Sequence, residues 1–218
     1  MTRSAARVRA PIAGAAAFVP AGANLSGLAK AARGCRGCGL WQPATQTVFG
    51  EGPAHASLML VGEQPGNDED LQGAPFVGPA GRVLDQALRD AGIEREDVYV
   101  TNAVKHFKWE PSGKRRLHKK PAPREIWACK PWLEAELSAV RPKALMCLGA
   151  TAAQALLGAQ VRVTEQRGKA LESALAPVVM VTVHPSSLLR LPSHADRERE
   201  RKRFVQDLMT LASLAQRA

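Results

Sequence analysis

The chain has 218 residues, 45% of them hydrophobic, which is enough for one domain with its own core and excludes a largely disordered protein. Its 30 Lys and Arg outnumber its 20 Asp and Glu, and the formal net charge of +10 favours a polyanionic partner or an anionic membrane surface. No apolar run approaches the ~18–20 residues of a membrane span. We expect residues 1–23 to form a disordered basic segment, and residues 24–218 to form the single domain of a cytoplasmic, monomeric protein that binds no membrane.

Helical and strand patterns alternate along the chain from residue 24 onwards. Short apolar runs predict strands, and longer runs bounded by capping residues predict helices. In chain order we predict a helix at 25–33, a strand at 57–61, a helix at 79–91, a strand at 97–101, a helix at 123–140 kinked near Pro131, a strand at 144–148, a helix at 151–157, a weak strand near 161–164, a strand at 178–183 and a closing helix at 193–218. This α/β order predicts a three-layer α/β/α sandwich around a mostly parallel sheet of roughly four strands.

The loops that follow the predicted strands are the expected site of function. In a parallel sheet, ligands bind beyond the carboxyl ends of the strands. Three loops, at residues 62–78, 102–121 and 184–190, follow strands at that edge, and they hold the polar residues considered below.

Most of the net charge lies between Lys105 and Lys130, where nine Lys or Arg stand against two Glu. The segment also contains Phe107 and Trp109, and its charges follow no helical period. A basic loop with aromatic side chains suits nucleic acid better than a membrane surface. A solvated basic face without a partner is the alternative, because a run of charges is a weak indication on its own.

The four cysteines stand at positions 35, 38, 129 and 147. Disulfides do not suit a chain without a secretory signal, and structural zinc sites usually use two close pairs, whereas Cys129 and Cys147 are far apart. One close pair with two scattered cysteines can hold a [4Fe-4S] cluster, because the corners of the cubane point apart. The spacing leaves a cluster, a zinc site and simple buried thiols open as interpretations.

The motifs of this chain resemble those of family 4 uracil-DNA glycosylases. The first motif is GEQPG at 62–66 with GAPFVGPAG at 73–81, the second is TNAVK at 101–105, and the last is HPSS at 184–187. The cysteines stand where that family holds a [4Fe-4S] cluster, so the resemblance implies four ligands: Cys35, Cys38, Cys129 and Cys147. The match covers residues 24–212 in the same order and implies the activity of the family, removal of uracil from DNA.

Within that family the resemblance is closest to the UdgX subgroup. There Gln follows Glu in the first motif, as Gln64 does here, and an inserted loop has the pattern KRRxH, as at 114–118. In that subgroup the loop histidine bonds covalently to the sugar after uracil leaves, so the resemblance implies single-turnover capture of the DNA through His118. One position departs from the subgroup pattern, because Asn67 stands where the subgroup has an acid, and Asp68 follows it.

Excision requires an extruded base, a stabilised uracil anion and capture of the sugar cation. Asn102 can pair with uracil O4 and N3–H, and Phe76 can stack on the ring. His184 can donate a hydrogen bond to O2, helped by backbone N–H groups around Gln64 and Gly66. By residue type alone, Asn102 would be a cap at the end of a strand, Phe76 a core aromatic and His184 a structural histidine.

Two further residues are candidates for the capture of the sugar cation. A neutral ring nitrogen of His118 can attack the sugar, while Glu63 orients the ring and accepts its other proton. A basic loop that only grips phosphates is the alternative. DNA contacts are expected from the basic and polar residues of the inserted loop and the last motif: Lys114, Arg115, Arg116, Ser186 and Arg190.

Three other functions remain open from the sequence. The chain could be a conventional glycosylase that uses water and turns over. It could be a cluster-bearing DNA-binding module without catalysis, or a zinc-stabilised RNA-binding domain, which would be colourless.

Overall fold

Helices and strands alternate through residues 14–218, the part of the chain that this computed structural model describes. The helices are α1 (Leu25–Ala32), α2 (Asn67–Gln72), α3 (Pro79–Asp90), α4 (Pro123–Val140), α5 (Ala150–Leu157), α6 (Val163–Gln166), α7 (Pro185–Leu188) and α8 (His194–Arg217). The strands are β1 (Leu58–Gly62), β2 (Val98–Asn102), β3 (Trp109–Ser112), β4 (Arg115–His118), β5 (Ala144–Leu148), β6 (Ala170–Leu171) and β7 (Val178–Thr182).

The central sheet has the strand order β2-β1-β5-β7-β6, parallel except for β6. Strands β1, β2 and β5 are buried along their whole length, which explains why their sequences are almost continuously apolar. The predicted sandwich with a mostly parallel sheet is confirmed. The sheet has five strands instead of four because β6, only two residues long, pairs antiparallel with β7 at the edge.

Helices cover both faces of the sheet. On one face α3 and α8 pack through apolar side chains that include Leu84, Leu88, Phe204 and Leu208. On the other face α4 and α5 pack through side chains that include Leu133, Leu137, Ala152 and Ala153. A third apolar cluster joins α1 to α4 and contains three of the four cysteines. The predicted helix at 123–140 is confirmed; α4 continues through Pro131, where the expected kink stays a prediction.

The segment predicted as a disordered lead-in is packed from residue 14 onwards. Ala15 is 1% exposed, its N–H donates to the carbonyl of Ala128, and the N–H of Gly14 donates to the carbonyl of Gly37. The prediction of disorder is therefore corrected for residues 14–23. Its remaining part, residues 1–13, lies outside the described residues.

The basic loop predicted after β2 contains the antiparallel hairpin β3–β4, in which Trp109 pairs with His118. Its strands are mostly exposed, so they lack the alternating pattern by which a half-buried strand is predicted. The predicted weak strand near 161–164 is wrong, because α6 begins at Val163.

The carboxyl ends of β1, β2, β5 and β7 meet at one edge of the sheet. Two short helices, α2 and α7, lie in the loops at this edge and begin directly after Gly66 and His184. Both are too short for a helical period to show in the sequence. Within residues 14–218 no helix combines the length and apolar character that crossing a bilayer requires.

Candidate active site

A cleft of about 530 Å³ opens at the carboxyl edge of the sheet. Its walls come from the loops after β1, β2 and β7 and from the end of the β3–β4 hairpin; they include Phe76, Asn102, His118, His184 and Arg190. Small-molecule sites usually have volumes of about 300–1,000 Å³, so the cleft has room for one nucleobase with its sugar.

Asn102 and Phe76 lie close together at the base of this cleft, 3% and 6% exposed. No space remains between them and the end of β1, because a Cβ at Gly62 would lie 2.4 Å from Asn102 Oδ1 and 2.6 Å from Phe76 Cζ. Phe76 has a φ of 57°, a left-handed conformation that costs energy for a bulky residue. The strained backbone of Phe76 thus accompanies the placement of its ring beside the Asn102 amide.

His184 caps α7 and lines the cleft. The backbone N–H of Ser186 donates to His184 Nδ1 over 3.2 Å. Because an N–H group can only donate, Nδ1 must be the unprotonated nitrogen, and the neutral ring carries its proton on Nε2. Burial, helped by Arg190 and His118, lowers the pKa of His184 to about 4. At neutral pH the ring is thus an uncharged Nε2–H donor beside Phe76, with ring centroids 6.0 Å apart.

Ser186 and Arg190 are connected to this histidine. Ser186 Oγ lies 2.9 Å from His184 Nδ1 and accepts from Arg190 Nη1 over 3.3 Å. The Ser186 side chain is therefore occupied inside the site, whereas Arg190 is exposed at the rim of the cleft.

His118 is the last residue of β4, and half of its side chain is exposed. Its Nε2 lies 2.9 Å from Gln64 Nε2 and 3.7 Å from Glu63 Oε1. Partial burial lowers the pKa of His118 below its usual 6.5, although the neighbouring Glu63 carboxylate opposes this shift. The ring is therefore mostly neutral at pH 7, as a nucleophilic nitrogen requires.

Gln64, expected to help bind uracil, instead forms hydrogen bonds to the backbone on both sides of the hairpin. Its Oε1 accepts from the N–H of Lys108 over 3.2 Å, and its Nε2 donates to the carbonyl of Lys119 over 3.0 Å. These two contacts fix which end of the amide is nitrogen, so the group facing His118 Nε2 is a donor. We infer that His118 Nε2 carries the lone pair and Nδ1 the proton.

Glu63 lies next to His118 and is not among the residues that line the cleft. One of its carboxylate oxygens, Oε2, accepts a hydrogen bond from the hydroxyl of Thr151, and the other, Oε1, faces the His118 ring. Any effect of Glu63 on a substrate in the cleft must therefore pass through His118 or through a water molecule.

Arg116, expected to contact DNA, is engaged within the protein. Its Nη1 donates to Asp70 Oδ2 over 2.6 Å and its Nε to Asn67 Oδ1 over 2.9 Å. The guanidinium also lies 5.5 Å from the ring centroids of Phe107 and Trp109. These contacts fasten the hairpin to α2, and they leave Lys114 and Arg115 as its exposed cations.

The N–H of Gly66, expected to face uracil, is also occupied. It donates to Glu69 Oε2 over 3.0 Å, while the N–H of Gly78 donates to Glu69 Oε1 over 2.8 Å. The expectation of a free donor at Gly66 is corrected. The spacing Gly66-x-x-Glu69 is a capping-box spacing and could have indicated this bond from the sequence.

Thr151 and Asp70 were the other functional neighbours missed. Asp70 falls in the acidic run after the first motif, where a partner across the fold leaves no local signal. Thr151 is the second residue of α5, which follows β5, a fourth strand that ends at the functional edge. The rule that ligands bind beyond the carboxyl ends of parallel strands therefore also indicates this loop.

The four cysteines are free and buried. Burial raises the pKa of Cys38 and raises those of Cys129 and Cys147 to about 12. In the described part of the chain, no three His, Cys, Asp or Glu side chains lie close enough to hold a metal ion. Four free thiols in apolar surroundings nevertheless have the donor chemistry of an iron–sulfur cluster.

The chain is similar to several known proteins. The model of the uracil DNA glycosylase superfamily matches residues 49–209. A type-4 uracil-DNA glycosylase of Thermotoga maritima is 39% identical over 172 residues, which cover 78% of this chain and 83% of that protein. Type-4 uracil-DNA glycosylases of Archaeoglobus fulgidus and Pyrobaculum aerophilum are 41% and 34% identical, over 60% and 78% of this chain and 62% and 87% of those proteins.

These relatives are named as type-4 enzymes, so the finer resemblance to the UdgX subgroup stays a prediction. The superfamily model spans most of the chain and includes the first, second and last motifs, whose residues meet in the cleft. The chain belongs to the uracil DNA glycosylase superfamily.

Proposed function

We propose that this protein removes uracil from DNA by cleaving the bond between the base and its sugar. The observation that carries the proposal is the cleft that Asn102, Phe76 and the neutral ring of His184 line together. A planar amide, an aromatic face and a neutral donor are what recognition of an extruded uracil requires. The names of the type-4 relatives support the same activity.

The departing base leaves as an anion whose charge develops on its carbonyl oxygens. His184 would donate its Nε2–H to uracil O2 while remaining uncharged, so the bond strengthens as the negative charge grows. Measuring the release of free uracil from DNA tests this proposal.

Two fates of the sugar cation are compatible with the cleft. In the first, water attacks C1′ and the enzyme turns over, and the type-4 names of the relatives favour this conventional route. In the second, the Nε2 lone pair of His118 attacks C1′ as the bond to uracil breaks. The electron pair of the broken bond leaves with the uracil anion, and the imidazolium gives its Nδ1 proton to water, because Glu63 faces Nε2 and not Nδ1 as expected. An alkylated imidazole remains, so that one protein molecule would act once.

A specific observation favours this second candidate. His118 lies in the cleft wall as a mostly neutral ring, with Nε2 held by Gln64 and the Glu63 carboxylate 3.7 Å away. That carboxylate would stabilise the positive charge that the ring acquires on attack.

Covalent capture predicts a product that survives denaturation. Wild-type protein mixed with uracil-containing single-stranded DNA and boiled in detergent should give a shifted band on a denaturing gel, and His118→Ser should give none. Thymine-containing DNA of the same sequence is the control. Abasic DNA without a shifted band would leave the conventional route as the function and remove the capture.

The rate of covalent capture should also depend on pH in the way that the lowered pKa of His118 predicts. Because only the neutral ring attacks, the initial rate of adduct formation should stay high as the pH falls to 6.5 and should fall only through the lowered pKa below it. Rapid-quench rates between pH 8 and 5 test this sign. A half-maximal rate at or above pH 6.5 would contradict it, and uracil release by His118→Ser over the same range is the control.

We also propose that Cys35, Cys38, Cys129 and Cys147 hold a [4Fe-4S] cluster, as the resemblance implies. Their thiols are free, and all four lie in apolar surroundings. When bound, the cluster would tie α1, α4 and the sheet together; uracil excision needs no electron. Iron analysis and visible absorbance of the purified protein distinguish it from a colourless zinc site.

DNA contacts are proposed at the rim of the cleft. Lys114 and Arg115 are exposed on the hairpin, and Arg190 is exposed beside His184. Each phosphate that a cation neutralises on a single strand changes the slope of log K against log salt by about −0.7. Arg116 and Ser186 would act indirectly, through the hairpin and through His184.

A further inference from the structure

Thr151 is the one hydroxyl that reaches the carboxylate beside His118 among the described residues. It is the second residue of α5 and is 4% exposed. Its Oγ1 donates to Glu63 Oε2, which leaves Glu63 Oε1 as the oxygen that faces His118 Nε2 at 3.7 Å. The two oxygens of one carboxylate are thus divided between a fixed donor and the reactive ring.

This division constrains a side chain that would otherwise be mobile. Glutamate has three side-chain torsions. Because the hydrogen bond from Thr151 already restricts them in the free protein, less conformational entropy is lost when Glu63 acts during the reaction. Thr151 is itself stiff, because a β-branched side chain in a helix has few χ1 rotamers, and it is buried. The hydroxyl is therefore a rigid support for one definite orientation of Glu63.

We propose that Thr151 is a positioning residue for the glycosylase reaction: its hydroxyl holds Glu63 so that the second carboxylate oxygen is aimed at the His118 ring. This inference rests on the proposed removal of uracil. It holds for both fates of the sugar cation, because Glu63 acts next to C1′ either through His118 or through a water molecule.

A purely structural role for Thr151 is the rival interpretation. In that case the hydroxyl only satisfies a partly buried carboxylate, and its loss would lower stability without a specific effect on the chemical step. Valine has the shape of threonine without the hydroxyl, and serine keeps the hydroxyl without the methyl group. The two substitutions therefore separate the hydrogen bond from the packing.

The test measures single-turnover release of radiolabelled uracil at saturating protein, together with the Kd for DNA. Released uracil is counted whether water or His118 takes the sugar. A hydrogen bond to a charged group is worth enough that Thr151→Val should lower the rate constant about tenfold or more, with an unchanged Kd. Thr151→Ser should stay within about threefold of wild type.

The decisive comparison is made in a Glu63→Gln background. If Thr151 acts through the Glu63 carboxylate, Thr151→Val should lower the rate constant of uracil release only a little beyond the decrease that Glu63→Gln already causes. A Thr151→Val rate equal to wild type would overturn the inference, as would a full additional loss in the Glu63→Gln background. A wild-type protein that releases no uracil would overturn the proposed function, and with it this assignment.

Discussion

Replacing His184 by Asn should lower the rate of uracil release by about 10²–10³-fold while leaving the fold intact. The geometry gives the two ring nitrogens separate roles. Nδ1 accepts from the N–H of Ser186 and caps α7, and Nε2–H is the donor for the uracil anion. Asparagine is a good helix cap whose amide reaches only the position of Nδ1, so it keeps the first role and loses the second.

Two companion variants sharpen this experiment. His184→Ala removes both roles and should lose the same activity together with some stability. His184→Gln can place an amide N–H near the position of Nε2 and should recover part of the rate. Melting temperatures and single-turnover rates are measured for all three variants. A near-wild-type rate for His184→Asn would show that the anion is stabilised elsewhere.

The second large effect concerns stability. Lys105→Met should lower the free energy of unfolding by about 3–5 kcal/mol, because it leaves a carboxylate buried without its counter-charge. Lys105 and Glu136 are both fully buried and form an ion pair. Lys105 Nζ also donates to Thr101 Oγ1 over 2.6 Å and to the carbonyl of Asn102 over 2.7 Å, so the pair supports the end of β2 below the cleft.

A double variant separates charge from packing. Gln at position 136 still accepts from Tyr99 and the N–H of Gly50, as Glu136 does over 2.9 and 3.0 Å. Lys105→Met with Glu136→Gln should therefore be more stable than Lys105→Met alone. Thermal and urea unfolding provide the comparison. A single variant within about 1 kcal/mol of wild type would contradict the importance of the buried pair.

Much of the fold could be predicted because its strands are buried on both faces. The runs at 58–62, 144–148 and 178–182 are short and apolar, and Gly or Pro follows each of them within three residues. The β3–β4 hairpin could not be predicted, because an exposed hairpin with Pro111 and three cations (Lys114, Arg115 and Arg116) has no apolar period. The weak strand expected near 161–164 is a helical turn, since four residues are too few for either period.

The sequence indicates which residues form the candidate site better than it indicates their hydrogen-bond partners. Asn102, Phe76, His118 and His184 line one cleft because the segments that follow β1, β2 and β7 all start at one edge of the sheet. Gln64, Gly66 and Arg116 have other partners than expected, since each hydrogen bond joins groups that only the folding of the hairpin or of α2 brings together. The monomeric state and the cytoplasmic location stay predictions.

The glycosylase activity is tested most directly by incubating the protein with a single-stranded oligonucleotide that contains one deoxyuridine and measuring the free uracil by chromatography. The proposed function predicts at least one uracil released per protein molecule, none of the corresponding base from matched thymine or cytosine DNA, and a large loss with His184→Asn. Stoichiometric DNA binding without any released uracil would contradict the enzyme and leave a DNA-binding module.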